Sequence, residues 1–264
     1  MLKIIVCLKQ ALDVAQLKTD PVTRQVITTG AAKKISDFDK NALEEAVRIK
    51  EKHGAEVATV TVGTEDAKTS LREALAIGAD KAYLLCDKSF QNSDTLATSY
   101  ILSEFIKKTG KYDIILCGEA SIDSYSAQVG PRIAERLGMV PLTYVTRINV
   151  QGEIVDVERK LEDCLEIVKA KMPILITVMR EINTPRIPSL MAIMKASKKE
   201  LTILNRAELQ TENGKTGESG SAIQILEVLA PKVERRRIKI QGENTQEIAE
   251  KLARALTQER VVGG

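Results

Sequence analysis

Through residue 138, short apolar runs alternate with longer segments in which apolar residues recur at helical spacing. Strands buried on both faces of a sheet are predicted at 2–8, 56–62, 82–86 and 112–117. The longer segments between and after them predict amphipathic helices. Because strands that alternate with helices pair in parallel, the pattern predicts an α/β fold with a doubly wound, mainly parallel sheet.

The pattern changes after Pro141, where apolar segments follow one another closely. Further strands are predicted at 142–150, 154–158, 164–170 and 174–179. Gln151-Gly152 is a turn signal between the first two. We therefore expect hairpins that extend the sheet late in the chain and in the antiparallel sense.

From residue 201 the strand–helix rhythm ends, and we expect an extended arm with little core of its own. Residues 211–221 are rich in Gly, Thr, Glu and Lys and predict a flexible connector. A strand is predicted at 228–240. A helix capped by Thr245 follows it, with an apolar face formed by Ile248, Leu252 and Leu256.

The helix near residue 40 shows how the pattern assigns faces. Asp37 or Asp39 is suited to its N-cap. Its apolar face comprises Ala42, Leu43, Ala46, Val47 and Ile49. Glu44 and Glu45 lie between these positions and are expected to face solvent.

The segment from Gly118 to Pro131 joins the fourth predicted strand to a helix that ends near Gly138. Parallel sheets place their ligands at such turns, at the carboxyl ends of strands. The polar side chains of this loop are Ser121, Asp123, Ser124, Ser126 and Gln128. The unpaired N–H groups of a helix start favour phosphate, although an ordinary capped turn with solvated serines explains the same residues.

Composition narrows the classes of function. Apolar residues make up 44% of 264, enough for a sizeable core, while aromatic residues make up 3% and Trp is absent. Base stacking as a main activity is therefore not expected. The net charge is +3 with acidic and basic residues interspersed, and the run Glu234-Arg235-Arg236-Arg237 suits an interface or a solvated rim better than nucleic acid.

The sequence gives little support for a metal site or a catalytic nucleophile. Cys7, Cys86, Cys117 and Cys164 form no C-x-x-C pair, and the single histidine, His53, stands at a predicted helix end. Reduced structural thiols are expected, in a cytoplasmic protein. The apolar run at 4–8 is too short for a secretory signal, and we expect no direct membrane insertion.

Several motifs resemble the small (beta) subunit of electron-transfer flavoproteins. They are Ile122-Asp123 followed by Ala127-Gln128-Val129-Gly130-Pro131, the segment 73–80, Glu158-Arg159 and Leu161-Glu162-Asp163. The resemblance extends over nearly the whole chain. It implies the fold of an adenine-nucleotide-binding α/β domain at 1–185, a partner-recognition loop at 186–200, and an arm at 201–264 that wraps the large (alpha) subunit.

The resemblance also implies site residues. The positions that carry over as cofactor neighbours are Cys7, Ser36, Asp39, Val62, Gly118, Ser121, Asp123, Ser124, Ser126, Ala127, Gln128 and Val129. Cys7 and Val62 would lie beside the adenine. For Cys7 a purely structural role in the core stays open. Leu190 matches the exposed leucine that anchors partner dehydrogenases, unless it packs inward.

The family divides by the nucleotide that this subunit holds. One branch holds structural AMP and passes electrons between dehydrogenases and a quinone oxidoreductase. The other holds a second FAD and splits electrons from NADH between two acceptors, which can include iron–sulfur subunits. Ala127 and Val129 resemble the residues of the bifurcating branch, while Ala120 and Ser124-Tyr125 differ from the residues that are usual in the family.

Two other classes remain as alternatives. An ATP-using protein on a related fold would carry a glycine-rich loop after the first strand, but Lys9-Gln10-Ala11-Leu12-Asp13 has no glycine. A scaffold without nucleotide would form a colourless complex. The chain shows no set of groups able to perform chemistry unaided, so any redox work would fall to a cofactor.

Overall fold

The structure is a computed structural model that describes residues 1–232, 237–259 and 261. Its strands in chain order are β1 Lys3–Cys7, β2 Gln10–Leu12, β3 Lys18–Thr19, β4 Val26–Ile27, β5 Lys33–Ile35, β6 Glu56–Val62, β7 Lys81–Leu85, β8 Ile114–Gly118, β9 Val140–Gln151, β10 Ile154–Lys160, β11 Leu165–Lys171, β12 Ile174–Val178 and β13 Leu201–Leu204. Its helices are α1 Asp37–His53, α2 Lys68–Ile77, α3 Thr95–Thr109, α4 Val129–Leu137, α5 Leu190–Ala196, α6 Arg206–Leu209 and α7 Thr245–Gln258.

Within the described residues, nine strands form one sheet in the order β11-β10-β9-β12-β8-β1-β6-β7-β13. β1 lies between β6 and β8 and is parallel to both. The chain passes from β1 to β6 and β7 on one side and then returns to β8 on the other. This reversal of strand order beside β1 is a topological switch point, and it confirms the doubly wound fold.

The antiparallel extension is also confirmed. β9, β10 and β11 form successive antiparallel pairs at one end of the sheet. β12 does not continue this series of hairpins. It inserts between β8 and β9 and is parallel to both, so it closes the gap between the parallel part and the extension.

Two cores lie on opposite faces of the sheet, as period-two strands require. Ile4 and Val6 of β1 face the core that α1 and α2 cover, whereas Ile5 and Cys7 face the core that α3 and α4 cover. Ile4, Ile5 and Val6 have no exposed surface. β1 is thus fully enclosed, which explains its continuous apolar run.

The solvated positions predicted for Glu44 and Glu45 are wrong. Their side chains are buried because the segment after β12 crosses α1. Arg186 Nε lies 2.9 Å from Glu44, and Asn183 donates to Glu45 over 3.1 Å. Burial raises the pKa of Glu44, but hydrogen bonds from Arg186 and Arg48 outweigh it, so the net pKa is below its ordinary value. A helical pattern identifies an apolar face but not a polar neighbour that covers the opposite face.

The sheet extends into the segment that the sequence assigns to an arm, because β13 pairs in parallel with β7. The flexible connector predicted at 211–221 is wrong as well. Thr211 and Thr216 are buried there, and the N–H of Gly217 donates to Ser93 Oγ over 2.9 Å. A β carbon on Gly217 would lie 2.5 Å from the carbonyl oxygen of Ser89, so only glycine allows this close packing.

Beyond Ser221 the described chain lies mostly on the surface. Leu229 forms a single antiparallel bridge with Gln25, where a strand was predicted at 228–240. Residues 233–236 of that stretch, which include most of the predicted arginine-rich run, lie outside the described residues. α7 begins after Asn244, one residue before the predicted cap, and no described side chain of α7 is buried. No helix that the structure describes is both long and apolar enough to cross a membrane.

Asp94 joins the start of α3 to the point at which the chain leaves the body. One carboxylate oxygen accepts from the N–H groups of Leu96 and Ala97, at 2.8 and 2.9 Å. The other accepts from Ala222 and Ile223, at 2.8 and 3.2 Å. Four backbone donors therefore converge on one side chain that both caps a helix and anchors the arm.

We expect Asp94→Ala to lower the free energy of unfolding by about 1–2 kcal/mol, because it removes a helix cap. It should also speed tryptic cleavage at Lys215 by releasing the segment that ends at Ala222. Asn244→Ala is the matched control, since Asn244 caps the exposed α7 by accepting from the N–H of Glu247. Equal cleavage rates in both variants would contradict the anchoring role.

Candidate functional site

The candidate site lies where β1, β6 and β8 end together, at the switch point. Cys7, Val62 and Gly118 are the last residues of these three strands, so the fold brings the predicted positions to one edge. Cys7 and Cys117 lie opposite each other in the parallel pair of β1 and β8, and both side chains are buried. Hydrogen bonding to Cys7, together with burial, raises the pKa of the Cys117 thiol, and neither residue forms a disulfide.

Asp39 links the ends of β1 and β8. Its carboxylate accepts from the N–H of Lys9 at 2.8 Å and from the N–H of Gly118 at 3.0 Å. Burial raises the pKa of Asp39 to about 7, against these two hydrogen bonds and the nearby Lys9 charge, which lower it. Asp123 raises it further. Asp39 therefore fixes the backbone of the site.

The caps predicted at Asp37 and Asp39 are wrong, because the N-cap residue of α1 is Ser36. The Ser36 hydroxyl is fully buried and accepts from the N–H of Ile122 at 3.3 Å, so it ties the helix to the loop after β8. Gly118 permits the close approach of the two elements. A β carbon there would lie 2.6 Å from both Asp39 Oδ1 and Phe38 Cβ.

The first half of the loop is held by one ion pair and its hydroxyl neighbours. Lys9 Nζ lies 2.7 Å from Asp123 Oδ1, and Ser121 Oγ donates to the same oxygen over 2.6 Å. Ser121 and Ser124 share a further hydrogen bond of 2.8 Å. Burial raises the pKa of Asp123, but the Lys9 and Ser121 hydrogen bonds outweigh it and hold the pKa below its usual value. These predicted residues thus shape the loop by bonding to one another.

The second half of the loop forms a concave set of donors. Ala127 has a positive φ of 54°, and Gln128 follows in the right-handed helical region. A left-handed residue before a right-handed one turns consecutive N–H groups toward one point, which binds anions. Among the described residues, no hydrogen bond occupies the N–H groups of Ala127, Gln128 or Val129. α4 begins here and adds its dipole.

Neighbouring elements keep this donor set in place. The Gln128 side-chain oxygen accepts from Thr95 at 2.8 Å and from Arg132 Nη2 at 3.0 Å. Gly130 fits closely against β12, since a β carbon would lie 2.7 Å from Thr177 Cγ2. Ser126 is half-buried beside them. The loop is therefore fixed before any ligand arrives.

Sequence reasoning missed Glu119 and the hydrogen bond that Tyr125 donates to it. The Tyr125 hydroxyl donates to Glu119 Oε1 over 2.7 Å, and its ring meets Phe38 edge-on at 5.7 Å. Glu119 Oε2 is buried, with no partner among the described residues. Tyr125 has a positive φ of 47°, which is strained for an aromatic residue. The sequence did contain one signal for this contact, because Ser124-Tyr125 differs from the residues that are usual in the family.

Leu190 lies outside this site, on the surface. It is the first residue of α5, which Ser189 caps through the N–H of Ala192, and 74% of its surface is exposed. The inward packing considered as an alternative is therefore wrong. Its exposed apolar neighbours are Ile187, Met191, Ile193 and Met194.

The fold and the loop define an α/β protein of the doubly wound class, with N–H groups that have no partner among the described residues at its switch point. The electron transfer flavoprotein domain matches residues 23–209. The chain is 44% identical to the electron transfer flavoprotein subunit beta of Thermoanaerobacterium thermosaccharolyticum over 235 residues, which cover 89% of this chain and 90% of that protein.

Two further relatives carry more specific names. The caffeyl-CoA reductase-Etf complex subunit CarD of Acetobacterium woodii is 37% identical over 99% of this chain and its own full length. The protein FixA of Azorhizobium caulinodans is 38% identical over 86% of this chain and 84% of its own. The chain belongs to the electron transfer flavoprotein beta-subunit family.

Asp39 should make stability depend on pH in a stated direction. Its pKa is about 7 in the folded chain and ordinarily 3.8, so the folded state keeps a proton that the unfolded state loses first. Its contribution to the free energy of unfolding is greatest below pH 3.8 and falls by roughly 4 kcal/mol as the pH rises through 7. Urea unfolding of the wild type and Asp39→Asn across this range measures the difference. Parallel pH profiles for the two proteins would contradict it.

Proposed function

We propose that this chain is the small subunit of a heterodimeric electron-transfer flavoprotein, holds FAD, and takes part in NADH-dependent electron bifurcation to partner redox proteins. The observation that carries the proposal is the set of unoccupied N–H groups from Ala127 to Val129 at the switch point. The relationship to a subunit of the caffeyl-CoA reductase-Etf complex of Acetobacterium woodii supports assembly with a partner reductase. The resemblance of Ala127 and Val129 to the bifurcating branch supports the FAD alternative.

The residues present suit a dinucleotide. The N–H groups of Ala127, Gln128 and Val129 would hold its phosphates, and Cys7 and Val62 offer apolar surface to adenine. Ala127 and Val129 carry no hydroxyl, which leaves space for the second phosphate of FAD. When bound, the flavin supplies the acceptance and division of electrons, while the chain positions it.

AMP, with electron transfer between dehydrogenases and a quinone oxidoreductase, is the second candidate. The contacts of Tyr125 favour it, because a ring held by Phe38 and Glu119 leaves less space beside the loop. Both candidates use the same phosphate-binding turn. They differ beyond the first phosphate, where AMP ends and FAD continues with a second phosphate and the flavin.

The proposal includes two protein surfaces. The arm that leaves the body after Ser221 would wrap the alpha subunit, since Ile223, Ile225 and Leu226 are exposed there. Leu190 would anchor an acyl-CoA or other dehydrogenase, with quinone oxidoreductase or iron–sulfur subunits as further partners. A cytoplasmic location is part of the proposal, with any membrane association made through partners.

Mass spectrometry of nucleotides released from the purified heterodimer tests the proposal. Two FAD per heterodimer are expected. One FAD with one AMP would overturn bifurcation and favour the second candidate. A complex without nucleotide on this chain would overturn both and leave a scaffold.

We expect Leu190→Ala to lower kcat/KM for reduction of the partner dehydrogenase by about 30-fold, as loss of an interface hot spot of ~2 kcal/mol would. Nucleotide content should not change, because Leu190 lies outside the loop. Val22→Ala is the matched control, as Val22 is an apolar residue exposed elsewhere. Equal rates for the two variants would exclude Leu190 from the docking surface.

A further inference from the structure

Glu119 has a side-chain oxygen without a hydrogen-bond donor among the described residues, and it begins the loop that contains the Ala127–Val129 turn. Only 7% of its surface is exposed, and its N–H donates to the carbonyl of Val178 over 2.9 Å, which fixes it at the end of β8. Oε1 accepts from Tyr125, whereas Oε2 is buried without a donor among the described residues. A buried carboxylate oxygen rarely stays unpaired, because losing water without a replacement donor is unfavourable.

The chemistry of that oxygen limits which groups can be its hydrogen-bond partner. A carboxylate only accepts, so its partner must carry an O–H or N–H group. A phosphate is excluded by its like charge. The donors from Ala127 to Val129 belong to the same loop and suit the phosphate instead. The loop thus has one part for an anion and another for a hydrogen-bond donor.

A nucleotide carries both kinds of group, and the donors nearest to its phosphate are the hydroxyls of the attached sugar. We propose that Glu119 Oε2 accepts a hydrogen bond from a sugar hydroxyl of the nucleotide bound at the Ala127–Val129 turn. The inference rests on the proposed nucleotide-binding function and adds a residue that orients the nucleoside relative to the phosphate.

Tyr125 completes the arrangement by holding the other oxygen. Its hydroxyl bond to Oε1 directs the carboxylate, and its ring rests on Phe38 at the start of α1. Tyr125 is 63% exposed, so its side chain is not enclosed in the core. Tyr125 is a positioning residue, and Glu119 is the binding residue.

Calorimetric titration of the nucleotide-free full chain tests this assignment with AMP, 2′,3′-dideoxy-AMP and inorganic pyrophosphate as probes. In the wild type, AMP should bind about 10-fold to 100-fold more tightly than dideoxy-AMP, as loss of a hydrogen bond to a charged group predicts. Glu119→Met removes both acceptor oxygens at similar length and should abolish this preference. Pyrophosphate should bind both proteins equally. Glu119→Gln should retain part of the preference, because an amide oxygen still accepts.

Glu153→Met is the matched control, since it makes the same substitution at an exposed carboxylate in the turn between β9 and β10. It should keep the preference for AMP over dideoxy-AMP. A Glu119→Met variant that keeps the preference, or that weakens pyrophosphate as much as AMP, would overturn the assignment and leave Glu119 a structural residue completed by water. Wild-type chain that binds none of the three probes would instead overturn the proposed function.

Discussion

The buried carboxylate of Asp39 is the constraint on which the site depends. It receives one N–H from the turn after β1 and one from the end of β8, two strands that are neighbours because the strand order reverses there. Two N–H donors favour an ionised acceptor, whereas complete burial favours a neutral one. A pKa of about 7 expresses that balance, and the absence of a side chain on Gly118 makes the contact possible.

The loop beyond this contact divides into parts with different chemistry. Lys9, Ser121 and Asp123 satisfy one another, so they give the first part its shape but offer few free groups. The N–H groups from Ala127 to Val129 have no partner among the described residues, an arrangement that suits an anion. Glu119 Oε2, by contrast, is an acceptor that needs a hydrogen-bond donor. An asymmetric ligand with a phosphate and a hydroxylated sugar satisfies both, which a free inorganic anion does not.

Much of the fold could be predicted because β1, β6, β7 and β8 are enclosed on both faces and therefore read as apolar runs. The position of the loop followed from strand order. What the pattern could not show were contacts between polar groups distant in sequence. Glu44 and Glu45 read as solvated because nothing local reveals that Arg186 and Asn183 cross α1. Glu119 could not be identified for a related reason, since what distinguishes it is a buried oxygen that lacks a hydrogen-bond donor among the described residues.

The same long-range contacts connect the interior to the protein surface. Glu44 and Glu51 on α1 both bind the Arg186 guanidinium, at 2.9 and 2.5 Å. Arg186 stands four residues before Leu190, so the helix that lines the site at its first turn also fixes the base of the exposed α5 segment farther along. An apolar residue at the surface loses less conformational entropy on docking when its backbone is already held. One helix therefore holds both the carboxyl edge of the sheet, through Asp39, and the segment that leads into α5, through Glu44 and Glu51.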